Sequence, residues 1–92
     1  MTDMLVRRYR IVPEATDSRV ADETVILHLG NDTYYGLDPV GTVIWEGLKQ
    51  GHGLTRIRDD ILAGFDATQA QVEADMKRFL AHLISEGILV EA

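Results

Sequence analysis

Glu23-Thr24-Val25-Ile26-Leu27-His28-Leu29-Gly30-Asn31-Asp32-Thr33-Tyr34-Tyr35-Gly36-Leu37-Asp38-Pro39 is the stretch on which the fold turns. Val25, Leu27 and Leu29 alternate with Thr24, Ile26 and His28, the period of a strand with one buried face. Taking the first set as buried puts His28 on the outward side. Gly30-Asn31-Asp32 supplies a turn, because Gly and Asn tolerate positive φ. Thr33 to Leu37 then returns as a second β-rich run. With Tyr35 and Leu37 inward, Tyr34 points to the opposite face. Asp38-Pro39 ends the run and opens a helix, with Asp as N-cap and Pro at the first helical position.

Upstream, Asp22-Glu23 can turn an earlier strand, near Ser18 to Ala21, into this pair. That makes a meander of three short strands. Tyr9 to Val12 can be extended, and Pro13 would end any ladder there. Residues 1–9 are expected to be poorly ordered.

Downstream, Val40, Val43, Ile44 and Leu48 share one helical face, widened by Trp45, whose expected place is the core. Gly51-His52-Gly53 ends that helix. Thr55 can cap a second helix with Ile57, Ile61, Leu62 and Phe65 as its apolar stripe. Thr68-Gln69-Ala70-Gln71 fits a capping box for a third. Its stripe is Val72, Met76, Phe79, Leu80, Leu83 and Ile84. Gly87 is a candidate C-cap, and Ile88-Leu89-Val90 reads as a short terminal strand or extended tail. The expected fold is α+β and winged-helix-like: a three-stranded antiparallel β-meander followed by three α-helices, in one domain over residues 1–92.

Composition limits what such a chain can do. At 92 residues the core is modest, with little left to enclose a deep cavity. Without cysteine there is no disulfide, thiolate metal site or thiol nucleophile. Nine Lys and Arg against fifteen Asp and Glu give a net charge of −6. That balance opposes nucleic-acid binding, whose affinity comes largely from neutralising phosphates. The first ten residues lack the apolar core of a secretion signal. No stretch approaches the roughly 18 apolar residues of a membrane span. The expected location is the cytoplasm, with neither a membrane nor a nucleic-acid partner.

Chemistry is hard to find. His28, His52 and His82 show no metal-ligand spacing. Asp59 and Asp60 are adjacent on a helix and point in different directions. Ser18 and Ser85 lack a Gly-x-Ser-x-Gly context. Gly47, Gly51 and Gly53 follow a helix, whereas a phosphate cradle precedes one. No catalytic residue, metal site or cofactor is expected, and the chain reads as no enzyme. The Thr33–Leu37 strand is more suggestive. If it is a sheet edge, its unpaired N–H and C=O groups suit strand addition by an extended peptide, and Gly36 allows close backbone approach.

Glu23 to Leu27, then Thr33-Tyr34-Tyr35-Gly36-Leu37-Asp38-Pro39-Val40-Gly41, then Ile44-Trp45, form an ordered set. Asp75-Met76-Lys77-Arg78-Phe79-Leu80-Ala81-His82-Leu83-Ile84-Ser85-Glu86-Gly87-Ile88-Leu89 completes it. Together they resemble the PqqD-like family, the precursor-recognition elements, or peptide chaperones, of ribosomally made and modified (RiPP) peptides. The likeness covers roughly Arg19 to Val90.

The resemblance implies non-catalytic binding of a precursor's leader peptide, which adds as a strand beside the third strand and faces the third helix. It implies that Thr33, Tyr34, Tyr35, Gly36 and Leu37 supply the edge. Val72, Asp75, Met76, Arg78, Phe79 and His82 are the implied candidates for the helix side. Asp38-Pro39-Val40-Gly41 resembles the lasso-peptide type more than the pyrroloquinoline-quinone (PQQ) type. The implied client is a leader peptidase in the first and a radical SAM enzyme in the second. From the residues alone, a winged-helix DNA-binding regulator and a structural or oligomerisation module remain alternatives, and both monomer and homodimer are open.

Overall fold

A computed structural model describes residues 4–92. The three central strands are β2 (Ala15–Val20), β3 (Glu23–His28) and β4 (Thr33–Leu37), paired antiparallel in the order β2-β3-β4. The helices are α1 (Pro39–Lys49), α2 (Leu54–Gly64) and α3 (Gln69–Ser85). The expected meander and three helices are therefore present. A second, two-stranded sheet joins β1 (Tyr9–Ile11) to β5 (Leu89–Glu91), pairing Arg10 with Val90.

Of residues 1–9, expected to be poorly ordered, Tyr9 is the first residue of that small sheet. A 3-10 turn spans Met4–Val6, and Leu5 is buried in the core. Residues 1–3 lie outside the described residues. The expected Ile88–Val90 segment is a strand from Leu89 to Glu91: Tyr9 to Ile11 gives it a ladder partner, and Val12 N–H adds a bond to Ile88 O at 2.9 Å.

Local signals explain the helices. The Asp38 carboxylate accepts the Gly41 N–H at 2.7 Å and Pro39 opens the first turn of α1. The capping box at α3 is complete, with Thr68 and Gln71 bonding each other's backbone N–H. At α2 the N-cap is Gly53 rather than the expected Thr55, and Leu54 begins the helix and enters the core. Ile26, Ile44, Trp45, Ile57, Ile61, Met76, Leu80, Leu83, Ile88 and Leu89 are all fully buried. The α1–α2 approach depends on Gly47, where a Cβ would lie 2.5 Å from Ile57 Cγ1.

The phase of β3 is the reverse of the expected one. Thr24, Ile26 and His28 face the core, while Val25 and Leu27 are half-buried on the outer face and Leu29 is exposed. His28 is accommodated because both ring nitrogens are engaged. Nδ1 accepts the Gly30 N–H at 3.0 Å and Nε2 donates to Gly87 O at 3.2 Å. The turn into β3 also sits one residue earlier than expected, at Ala21-Asp22, with Ala21 at φ +57°.

Candidate functional site

Ladder register decides which backbone groups are free. Leu29 N–H bonds Glu14 O, and that pair continues the β2–β3 register. Hydrogen-bonded pairs alternate in an antiparallel ladder. Val25 and Leu27 therefore bond toward β2, and Thr24, Ile26 and His28 bond toward β4. Their β4 partners are Leu37, Tyr35 and Thr33. The N–H and C=O of Tyr34 and Gly36 are left pointing at the open edge. Both residues also turn their side-chain positions to the outer face, where Tyr34 is 72% exposed.

The inward side of this edge meets α3. Asp75, Phe79, His82 and Glu86 recur at i, i+4, i+7 and i+11 and so line one side of the helix and its cap. The Tyr35 hydroxyl donates to Glu86 Oε2 at 2.8 Å, and its ring stands edge-on to His82 at 5.7 Å between centroids. Burial, then the bond to Glu86, push the Tyr35 hydroxyl up from its ordinary value, so it stays a donor. This clamp closes the Thr33 end of the edge.

At the Leu37 end the structure opens instead. A cleft of about 400 Å³ lies between the first turns of α1 and the middle of α3. Val40, Gly41, Ile44 and Phe79 give it an apolar lining, with Asp38, Asp75, Arg78 and His82 also contributing. Gly41 keeps it open: a Cβ there would come within 3.2 Å of Phe79 Cε1 and 3.1 Å of Asp38 Oδ1. Asp38 spends one carboxylate oxygen on the α1 cap, and Asp75 pairs with Arg78. The cleft thus offers carbon surface beside a row of free backbone groups. That arrangement has the geometry that strand addition by an extended chain requires. Among the described residues, no group of His, Asp and Glu gathers as a metal site would require.

Of the residues named from the sequence, Thr33 to Leu37 form one sheet edge, and Asp75, Arg78, Phe79 and His82 line the cleft. Val72 and Met76 do not. Both are buried in the core, because they fall on the α3 face that packs inward with Leu80 and Leu83. The α1 contribution of Val40, Gly41 and Ile44, and the cap residue Glu86, were not singled out for the site. The signal for the first was present: Val40 and Ile44 are four apart on the helix that Asp38-Pro39 opens.

The Coenzyme PQQ synthesis protein D (PqqD) family model matches residues 23–89. No curated protein matches the chain significantly. Among solved structures, the chain is similar to TbiB1, solved in complex with the TbiA(beta) leader peptide. The identity is 36% and the TM-score 0.80, over 87% of this chain and 93% of that one. It also shares its fold with a lasso peptide synthetase B1 complexed with the leader peptide. There the identity is 18% and the TM-score 0.82, over 90% of this chain and 98% of that one. With the family model spanning β3, β4, all three helices and the start of β5, this chain belongs to the PqqD family.

Proposed function

We propose that this domain binds the leader region of a ribosomally made precursor peptide and presents it to a processing enzyme, without catalysing a step itself. The observation that carries this is the β4 edge: free backbone groups at Tyr34 and Gly36 beside an apolar cleft on α3. TbiB1, of the same size and fold, was solved with a leader peptide bound. The family assignment and the charge of −6 both disfavour the DNA-binding alternative.

In this reading the leader adds as a fourth strand beyond β4. Its inward side chains enter the cleft over Phe79 and Ile44, and its outward ones join the sheet's outer face. That face exposes Val20 at 59% and Leu29 at 58%, among polar residues that include Thr16, Ser18 and Glu23. It is continuous with the added strand, so it is the surface offered to the client enzyme. The client is a leader peptidase, in keeping with the Asp38-Pro39-Val40-Gly41 run. No helix among the described residues is long and apolar enough to cross a membrane.

Calorimetric titration with the leader of a cognate precursor, identified among the neighbouring genes, tests the proposal. Saturable binding that weakens with Gly36→Pro and with Phe79→Ala is expected. No binding, or binding indifferent to both substitutions, overturns it.

A further inference from the structure

The outer face of the sheet has a gap in one of its cross-strand rows. By register, Thr16, Leu27 and Tyr34 stand side by side in one row, and Ser18, Val25 and Gly36 in the next. The first row runs unbroken to the β4 edge. The second stops at Val25, because Gly36 has no side chain and a Cβ built there meets nothing within 4 Å. Gly36 is therefore a notch between half-buried Val25 and exposed Tyr34.

Gly36 is not required by its backbone. It is not among the residues with positive φ, so an L side chain fits without strain. A strand interior ordinarily loses stability by holding glycine. An empty outward position beside the free N–H and C=O of the same residue has a use, however. A residue of an added strand directly opposite Gly36 points to the same outer face. Val25 lies two strand spacings away, about 9.5 Å. Aromatic side chains reach across such a gap and cover the bare backbone, the pairing by which aromatic residues offset glycine in sheets. Tyr34, the diagonal neighbour, supplies a second aromatic surface.

We infer that Gly36 is a specificity-determining position which selects an aromatic side chain at the opposing position of the bound peptide. This rests on strand addition at β4 and goes beyond it by naming the chemistry read on the outer face. Filling the notch separates two effects that a merely structural role would move together. Gly36→Val places a β-branched residue in a strand, so thermal stability rises, while the preference for an aromatic partner falls.

The test uses a displayed library of random twelve-residue peptides, selected in parallel on the wild-type domain and on Gly36→Val. Wild-type binders are expected to share Trp, Tyr or Phe at one position, and binders of the variant to hold Val, Thr or Ala there. In a wild-type binder, replacing that aromatic by Ala should weaken binding about fivefold on the wild type and less than about twofold on Gly36→Val. Absence of aromatic enrichment, or enrichment unchanged by Gly36→Val, overturns the notch. A library with no binder sensitive to Gly36→Pro overturns strand addition itself, and the notch with it.

Discussion

The two edges of the central sheet differ in what they allow. β4 runs Thr33-Tyr34-Tyr35-Gly36-Leu37, with no charged side chain, and opens beside an apolar cleft. β2, at the other edge, carries Asp17 and Arg19 on its inward side. Arg19 Nη1 donates to Thr24 Oγ1 at 3.2 Å. Asp17 Oδ2 accepts the Trp45 indole N–H at 2.6 Å and pairs with Lys49 at 2.9 Å. Inward-pointing charges are a common way to keep an edge from acquiring a new strand. Here Asp17 bolts β2 to the later turns of α1, through Trp45 and Lys49, neither of which lines the cleft. One edge is built to hold the domain together and the other is left free to receive a strand.

Breaking the bolt should have the largest effect on stability and little on binding. Asp17→Ala strands the Trp45 N–H and should cost about 2 kcal/mol in denaturant melts. Leader affinity, measured where the variant is folded, should stay within about twofold of wild type. The bolt also has a pH signature. Partial burial pushes the Asp17 carboxyl up, but the Trp45 bond and the Lys49 ammonium outweigh it and hold it below the usual carboxylate range. A carboxyl lowered in the folded state stabilises fully above its unfolded value, about 3.9, and that contribution is lost as pH falls through the lower folded value. Asp17→Ala should therefore flatten the decline of stability at acid pH, and an unchanged slope would remove Asp17 from the account.

Blocking the free edge should do the opposite. Gly36→Pro removes a donor that points away from β3, so leader affinity should fall at least about tenfold. The matched change on β2, Arg19→Pro, also removes an outward N–H and should leave leader affinity within about twofold. Equal losses from both would erase the distinction between the edges.

Smaller changes sharpen it. Tyr35→Phe deletes the bond to Glu86 that closes the Thr33 end, and should lower the melting temperature slightly with a modest loss of leader affinity. Its readout is the pair of a thermal melt and a titration. Arg78→Ala removes an exposed pair with Asp75 and should change stability by less than about 0.5 kcal/mol. A larger stability effect would mean that the rim of the cleft is structural.

The reversed phase of β3 bears on the same distinction. The row Val25, Leu27 and Leu29 is more apolar than Thr24, Ile26 and His28, so hydrophobicity alone assigns it to the core. The structure turns it to solvent, beside Tyr34 and the receiving edge. A local rule broken in this way is expected at an interaction surface. His28 could not be placed from sequence because its two partners, Gly30 and Gly87, lie on different elements. Val72 and Met76, groove candidates implied by the family resemblance, lie on the α3 face that packs into the core. Helical spacing shows that residues share a face, and only packing shows whether that face meets the core or the cleft.

What the sequence by itself determined is local or patterned. The Asp38-Pro39 start, the Thr68–Gln71 capping box, the meander, and the ordered set shared with a known family all follow from residues close together in the chain. The tertiary structure alone decided which of two alternating rows is buried, and which backbone groups of β4 are free. It also decided how α1 and α3 enclose the cleft, and that residues 9–11 find a partner at 89–91. Each of these depends on atoms brought together from distant positions, and period and propensity are the same for both outcomes.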